Sequence, residues 1–370
     1  LYCDFYVLPL GDGPPAKRLR EFRSLKHRRF LQALDAELAA LPDEFQPRTL
    51  YIGGGTPTEM GVGELTKLFD SLKRHIDFSQ VVEFCCEANP GTLDQEMADL
   101  LVSQGVNRVS LGVQSFSDTM LEALGRIHNK DEAFEAVRYL RNAGVKNLSL
   151  DLLFALPDSK EHDLQNNLQA ISALEPEHVS WYSLEYEQGT AFTDMRDQGF
   201  LQEADEESTA AEYTAIREGL AEIGYSQYEL FSFSKPGFEC RHNINYWQGG
   251  DYFGAGPAAH SHVAGKRWSN LPDLSAYIKR HCEGEGCCIS EAETLPSDAK
   301  ARELLMTQLR LIEGVNASAF QTQSGFTIEK LLGSSLQVWQ DAGWVTYENE
   351  LLKLSPEAYL ISDSLFREFI

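Results

Sequence analysis

Between residues 49 and 184 five short β-branched or aromatic runs recur, and each of the first four is followed by a polar or glycine-containing signature and an amphipathic helical stretch. Residues 49–52 (Thr-Leu-Tyr-Ile) end in Gly53-Gly54-Gly55, and Leu65, Leu68, Phe69 and Leu72 follow at helical spacing. Residues 81–87 close on Asn89-Pro90-Gly91, and Asp94 opens a helix that reaches Gly105. Residues 108–111 precede helices around 117–124 and 131–143, residues 147–153 precede a helix near 161–173, and residues 179–184 form the fifth run. Strands and helices alternating at this spacing fit right-handed crossovers and a parallel sheet. The polar signatures fall at the C-terminal ends of the strands, the edge where parallel sheets and barrels bind ligands. An open barrel of about six units fits the count, provided one strand lies upstream of Leu1.

Downstream the pattern changes. Residues 205–223 read as an amphipathic helix, acidic at its start and stopped by Gly224. A helix over 301–311, a helical stretch over 327–342 and a hairpin within 343–354 suggest a small winged-helix-like tail. The expected division is a barrel over 1–230, a connecting segment over 231–296 and the tail over 297–370.

The formal net charge of −24 argues against a nucleic-acid partner, because phosphate binding needs a basic face. No apolar run approaches the roughly 18 residues of a membrane span. The seven cysteines include two adjacent pairs and form no disulfide framework, so they read as reduced thiols of a cytoplasmic protein. Cys282, Cys287 and Cys288 lack a matching second ligand pair and read as exposed free thiols rather than a metal site. The chain opens Leu1-Tyr2-Cys3-Asp4-Phe5 without an initiator Met or a signal-peptide pattern, which suggests that its first residues are missing.

Taken singly, each polar signature has an ordinary structural reading. Gly53-Gly54-Gly55-Thr56 can be a tight turn, Glu87 a helix cap, Gln114 a satisfied core amide, and Arg126 with Asp151 an ion pair. Their succession on one rim changes the reading. Thr56, Glu87, Gln114, Arg126 and Asp151 together offer what an amino-acid-bearing nucleoside needs. Carboxylates accept from ammonium and ribose hydroxyls, an amide donates and accepts, and a guanidinium grips a carboxylate.

Leu-Tyr-Cys-Asp-Phe at 1–5, Gly-Gly-Gly-Thr-Pro-Thr at 53–58, Glu-Ala-Asn-Pro-Gly-Thr at 87–92, Gly-Val-Gln-Ser-Phe at 112–116, Leu-Gly-Arg-Ile-His at 124–128 and Asp-Leu-Leu-Phe-Ala-Leu-Pro at 151–157 occur in that order. This series resembles the radical S-adenosylmethionine (SAM) superfamily, in its oxygen-independent coproporphyrinogen-oxidase-like group. The resemblance implies an open (β/α)6 partial TIM barrel with a small C-terminal winged-helix-like domain. It makes Cys3 a ligand of a [4Fe–4S] cluster whose other two cysteines fall before Leu1, with Tyr2 beside it. Gly54, Gly55 and Thr56 would line the methionine end of SAM with Glu87, while Gln114, Arg126 and Asp151 would hold the remaining methionine and ribose groups. Three thiolates leave one iron open to chelate SAM, whose reduction then yields a 5′-deoxyadenosyl radical.

The oxidases of this group carry a further cysteine shortly after the third ligand, where this chain has Asp4-Phe5. His242-Asn243-Ile244-Asn245-Tyr246-Trp247 instead resembles the His-Asn-x-x-Tyr-Trp signature of the heme-chaperone branch. Imidazole can ligate heme iron and aromatic rings can stack on a porphyrin, which makes His242 the candidate heme ligand. The plainer alternative has His242 and Asn243 capping a loop, with Tyr246 and Trp247 filling the core. The reading favoured here is a heme-binding protein that delivers heme to acceptor proteins, with an electron donor for its cluster. The runner-up is an oxidase that decarboxylates coproporphyrinogen III. A hydrolase using Glu87 and Asp151 as acid and base is a third reading, which no nucleophile or metal set supports.

Overall fold

A computed structural model describes residue 2 and residues 17–42, 45–284 and 289–367, with the side chains of the first helix described from His27 onward. Five parallel strands form its centre: β1 (Thr49–Ile52), β2 (Glu83–Ala88), β3 (Arg108–Gln114), β4 (Leu148–Phe154) and β5 (His178–Ser183). A short hairpin, β6 (Ser226–Glu229) and β7 (Ser232–Ser234), extends the sheet to seven strands in the order β1-β2-β3-β4-β5-β7-β6. β7 runs antiparallel to β5, so the crossover pattern stops there. Among the described residues the sheet does not close on itself. The strand expected upstream of Leu1 lies outside the described residues.

Helices cover the convex side because their apolar stripes match the sheet's outward residues. After α1 (Lys17–Leu38), α2 (Val62–His75) buries Leu65, Leu68, Phe69 and Leu72, as the sequence spacing predicts. Phe69 packs edge-on to Phe84 of β2 at 5.9 Å. α3 (Gln95–Ser103) is capped by the Asp94 carboxylate, which accepts Met97 N–H. α4 (Asp118–Ala123) and α5 (Lys130–Ala143) follow β3, and α5 starts in a capping box between Asn129 and Glu132. α6 (Glu161–Leu174) follows β4, while α7 (Ala191–Asp197) and α8 (Glu206–Glu222) follow β5.

The segment 231–296 contributes β7, then the seven-residue helix α9 (Arg241–Trp247) that carries the His-Asn-x-x-Tyr-Trp signature. An antiparallel sheet follows, made of β8 (His260–Val263), β9 (Lys266–Asn270) and β10 (Ile289–Glu293), with α10 (Leu274–Glu283) between its last two strands. The buried carboxylate of Glu37 in α1 clamps this region by accepting from Gly256 N–H, Asn270 Nδ2 and Tyr277 Oη. Gly254-Ala255-Gly256 is therefore a site of close backbone approach. A Cβ at Gly254 would stand 2.1 Å from the His260 carbonyl oxygen.

The tail holds α11 (Ser297–Gln308), β11 (Val315–Asn316), α12 (Ala317–Ser324), α13 (Ile328–Leu332), α14 (Ser334–Asp341), β12 (Val345–Glu348), β13 (Leu351–Leu354) and α15 (Ser362–Arg367). The helical stretch expected over 327–342 is two helices broken at Gly333, whose φ of +56° and ψ of −127° suit glycine alone. The helix expected over 301–311 starts earlier, behind Pro296, and stops at Gln308.

Candidate functional site

The concave face of the sheet is polar, an unusual content for strands buried on both sides. Alternation along β2 brings Glu83, Cys85 and Glu87 to one face, and β3 adds Arg108, Ser110 and Gly112. At the floor, Glu83 accepts the backbone N–H groups of Arg241 (3.0 Å) and His242 (2.9 Å) and the Cys240 thiol. His178 is also buried there, with Nδ1 2.9 Å from Ser149 Oγ and Nε2 2.8 Å from Tyr228 Oη. Burial and the nearby Arg108 guanidinium hold it neutral, well below the usual imidazole range.

Nearer the C-terminal rim, Glu87 accepts from Tyr51 Oη at 2.8 Å and from Gly54 N–H at 3.1 Å. Burial raises its carboxyl to about 7, helped by the charge of Asp151 and opposed by the Tyr51 and glycine-loop donors. Asp151 accepts from Ser110 Oγ at 2.8 and 3.0 Å and from Ser149 Oγ at 3.1 Å. Burial raises Asp151 as well, against these hydroxyls and the Arg108 charge. The register sets Glu87 beside Ser110 and Gly112 beside Asp151, so the two carboxylates sit on strands separated only by β3.

Gln114 adopts φ +69°, an uncommon conformation for a side-chain-bearing residue, where the β3–β4 register slips by one. Two side chains from the Leu-Gly-Arg-Ile-His segment pin this bend. Arg126 Nη2 donates to Gly112 O at 3.0 Å, and His128 Nε2 reaches Val113 O at 3.1 Å. A Cβ at Gly112 would lie 3.0 Å from Gln114 Nε2 and 3.7 Å from Arg126 Nη2, so amide and guanidinium converge over that glycine. Arg126 Nε is buried without a partner.

Glu87, Asp151, Gln114 and Arg126 thus share one concave rim, with Gly54 tied to Glu87. Arg126 and Asp151 form no ion pair, and Glu87 caps no helix; those plainer readings are overturned by the bonds just described. Thr56 is half-buried at the start of the short 3-10 turn Pro57–Met60, where its carbonyl accepts Glu59 N–H. Tyr2 packs edge-on against Phe192 at 6.1 Å, beside the apolar cluster of Leu153, Leu156 and Leu184 at the ends of β4 and β5. Cys3 lies outside the described residues, as do Cys287 and Cys288. Among the described residues no three His, Cys, Asp or Glu side chains gather as a metal site.

The signature helix α9 lies against β1. The His242 ring stacks on Tyr51 at 5.1 Å and 22°. Its Nδ1 lies 2.8 Å from Thr49 Oγ1 and its Nε2 2.8 Å from Tyr246 Oη. Burial holds the imidazole below its usual range, partly offset by Glu83. Asn243, Tyr246 and Trp247 line a cavity of about 320 Å³ together with Tyr182, Phe231 and Arg310. The Arg310 guanidinium lies 4.9 Å over the Trp247 ring, and Trp247 Nε1 is buried without a partner. His242 and Asn243 are therefore helical rather than a loop cap, and Tyr246 and Trp247 wall a cavity rather than fill a closed core.

Residues 1–171 match the family model of the radical SAM superfamily, and residues 295–361 match that of the HemN C-terminal domain. Proteins named Heme chaperone HemW align along nearly the whole chain. That of Lactococcus lactis is 32% identical over 92% of this chain and 90% of its own. That of Haemophilus influenzae is 35% identical over 88% and 83%, and that of Escherichia coli 30% over 100% and 94%. The chain belongs to the HemW family. The solved coproporphyrinogen III oxidase (HemN) of Escherichia coli has the same fold, with a TM-score of 0.80 over 93% of this chain and 83% of that one, at 19% identity.

Within this HemW-family fold, Tyr51, Thr49, Ser110 and Glu83 also serve the site, although none stands out as a candidate in the sequence signatures. The signal for them was period two. Thr49 and Tyr51 alternate in β1, and Ser110, Ser149 and Ser180 interrupt otherwise apolar strands at interior positions. No helix among the described residues is long and apolar enough to cross a membrane.

Proposed function

We propose that the protein binds heme beside α9 and transfers it to acceptor proteins, holding SAM at the strand-end rim and using Cys3 as one ligand of a [4Fe–4S] cluster. The observation that carries the heme reading is the shared face of α9, where Asn243, Tyr246 and Trp247 wall one cavity next to His242, its lining part aromatic and part polar with Glu185, Glu229 and Arg310. Flat aromatic walls suit a porphyrin, and imidazole suits its iron. The name borne by the aligned relatives points the same way. Both nitrogens of His242 have partners, so ligation requires the ring to give up Thr49 or Tyr246.

The rim suits SAM by the chemistry of its donors. Gly54 and Gly55 have open space where a Cβ would stand, leaving the backbone approachable. Glu87 and Asp151 can accept from an ammonium and from ribose hydroxyls. Arg126, with its unpartnered buried Nε–H, can donate to a carboxylate, and Gln114 can serve either partner. Thr56 adds a hydroxyl beside the glycine loop, and Tyr2 an aromatic wall. Cluster and SAM together supply a one-electron cleavage of a sulfonium, and this chain's residues bind, orient and shield it. The partners required are a heme acceptor and an electron donor, in the cytoplasm, where thiolates stay reduced.

The test is a heme titration of the full-length gene product followed through the Soret band. A saturable shift is expected, weakened by His242→Ala; a His242→Ala protein that binds equally tightly removes His242 from the site. The same anaerobically reconstituted protein, assayed with coproporphyrinogen III, is expected to make no protoporphyrinogen. Product formation would favour the oxidase reading instead.

A further inference from the structure

Tyr51 belongs to neither motif, yet it touches both sites. Its hydroxyl donates to Glu87 at 2.8 Å, and its ring face carries His242 at 5.1 Å. We propose that Tyr51 is a positioning residue coupling the two sites, so that a nucleoside on Glu87 and a metalloporphyrin on His242 weaken each other's binding. The proposal rests on the heme-and-SAM reading above.

The packing leaves Tyr51 no slack. A Cβ at Gly53 would fall 2.6 Å from the Tyr51 ring and 2.6 Å from the Glu87 carboxyl group at once, so the glycine admits both side chains. Ring and hydroxyl are one rigid body, and moving either face of the contact moves the other. On the far side, His242 is seated three ways: on the Tyr51 face, on Thr49 and on Tyr246. An iron ligand needs an in-plane lone pair, so ligation breaks a bond to Thr49 or Tyr246 and draws the imidazole off the Tyr51 ring. His242 therefore has two arrangements, seated and turned out.

An ammonium held by Glu87 fixes the carboxylate and keeps the Tyr51 O–H in line with it, through a charge-assisted bond. The Tyr51 face then stays in place under the imidazole and favours the seated arrangement. A porphyrin that draws His242 out removes that support from Tyr51 and loosens Glu87. Linkage of this kind is reciprocal by thermodynamic necessity.

The experiment measures both affinities on the anaerobically reconstituted full-length protein. Iron protoporphyrin IX is titrated through its Soret band with and without saturating SAM, and SAM is titrated calorimetrically with and without the porphyrin. Saturating SAM is expected to weaken heme binding about fivefold or more, with the same factor in reverse. Tyr51→Phe keeps the ring under His242 and deletes only the hydroxyl that reaches Glu87. It is expected to bring both ratios to about 1. Ser110→Ala, which disturbs Asp151 but touches neither Tyr51 nor His242, is expected to weaken SAM while keeping the ratio. A ratio of about 1 in the unsubstituted protein, or an unchanged ratio in Tyr51→Phe, overturns the coupling. If the unsubstituted protein fails to bind one of the ligands, the functional reading falls and takes the coupling with it. If both bind independently, only the coupling falls.

Discussion

The carboxylate of Glu83 receives the backbone N–H of His242 at 2.9 Å, so β2 fixes the start of the signature helix from inside the barrel. Its other oxygen takes Arg241 N–H at 3.0 Å. α9 has seven residues, too few to persist on its own, and two of its free N–H groups end on this buried acid. Glu83→Gln replaces one acceptor oxygen by a donor facing an N–H. It is expected to cost about 1–3 kcal/mol in denaturant unfolding and to weaken heme binding more than SAM binding. Unchanged stability would mean that α9 is held by its side chains instead.

Asp151 sits under hydroxyls from three strands, Ser110, Ser149 and Ser180, and keeps its volume in Asp151→Asn. The substitution removes a charge-assisted acceptor, worth about 1.5–3 kcal/mol. SAM affinity is expected to fall about tenfold or more in calorimetric titration, with the melting curve still cooperative. Normal affinity in that variant removes Asp151 from the nucleoside site.

Glu87 supplies a pH signature. Its carboxyl lies at about 7 in the ligand-free protein, raised from an ordinary 4.5, and an ammonium partner needs the anion. SAM affinity is therefore expected to rise about tenfold per pH unit well below 7 and to level off above it. The raised group acts on stability in the opposite sense. Its contribution is fully present below 4.5 and is lost as pH rises through about 7. Glu87→Gln should flatten the binding profile. A slope that survives in that variant assigns the titration to another group.

Glu87, Gln114 and Asp151 were legible because each is a polar residue within or at the end of a strand of one parallel sheet, and Arg126 because its segment returns to the β3 end after α4. Tyr51 and Ser110 were not, because their roles depend on partners 36 and 41 residues away that only the sheet register brings alongside. The β6–β7 hairpin escaped for a local reason. Its strands span four and three residues around the apolar Leu230-Phe231, without the Asn-Gly chemistry that marks a tight turn. β10 (Ile-Ser-Glu-Ala-Glu) is wholly exposed and shows no buried stripe; backbone pairing to β9 and an Arg267–Glu293 ion pair at 2.6 Å hold it. His242 was legible as a signature, but its seat on Tyr51 and Thr49 was not.

The glycine loop separates packing from binding. A Cβ at Gly53 would overlap the Glu87 carboxyl group and the Tyr51 ring, both at 2.6 Å, and neither can move without breaking their shared hydrogen bond. Gly53→Ala is thus expected to cost about 1–3 kcal/mol of stability and to abolish SAM binding. A Cβ at Gly55 meets nothing within 4 Å, and that residue has no left-handed φ to protect. Gly55→Ala should leave the unfolding midpoint within about 0.5 kcal/mol of the parent while lowering SAM affinity, because the methyl occupies space open to the ligand. If Gly55→Ala binds SAM as the parent does, the loop is a turn that happens to be exposed, and the nucleoside does not approach its backbone.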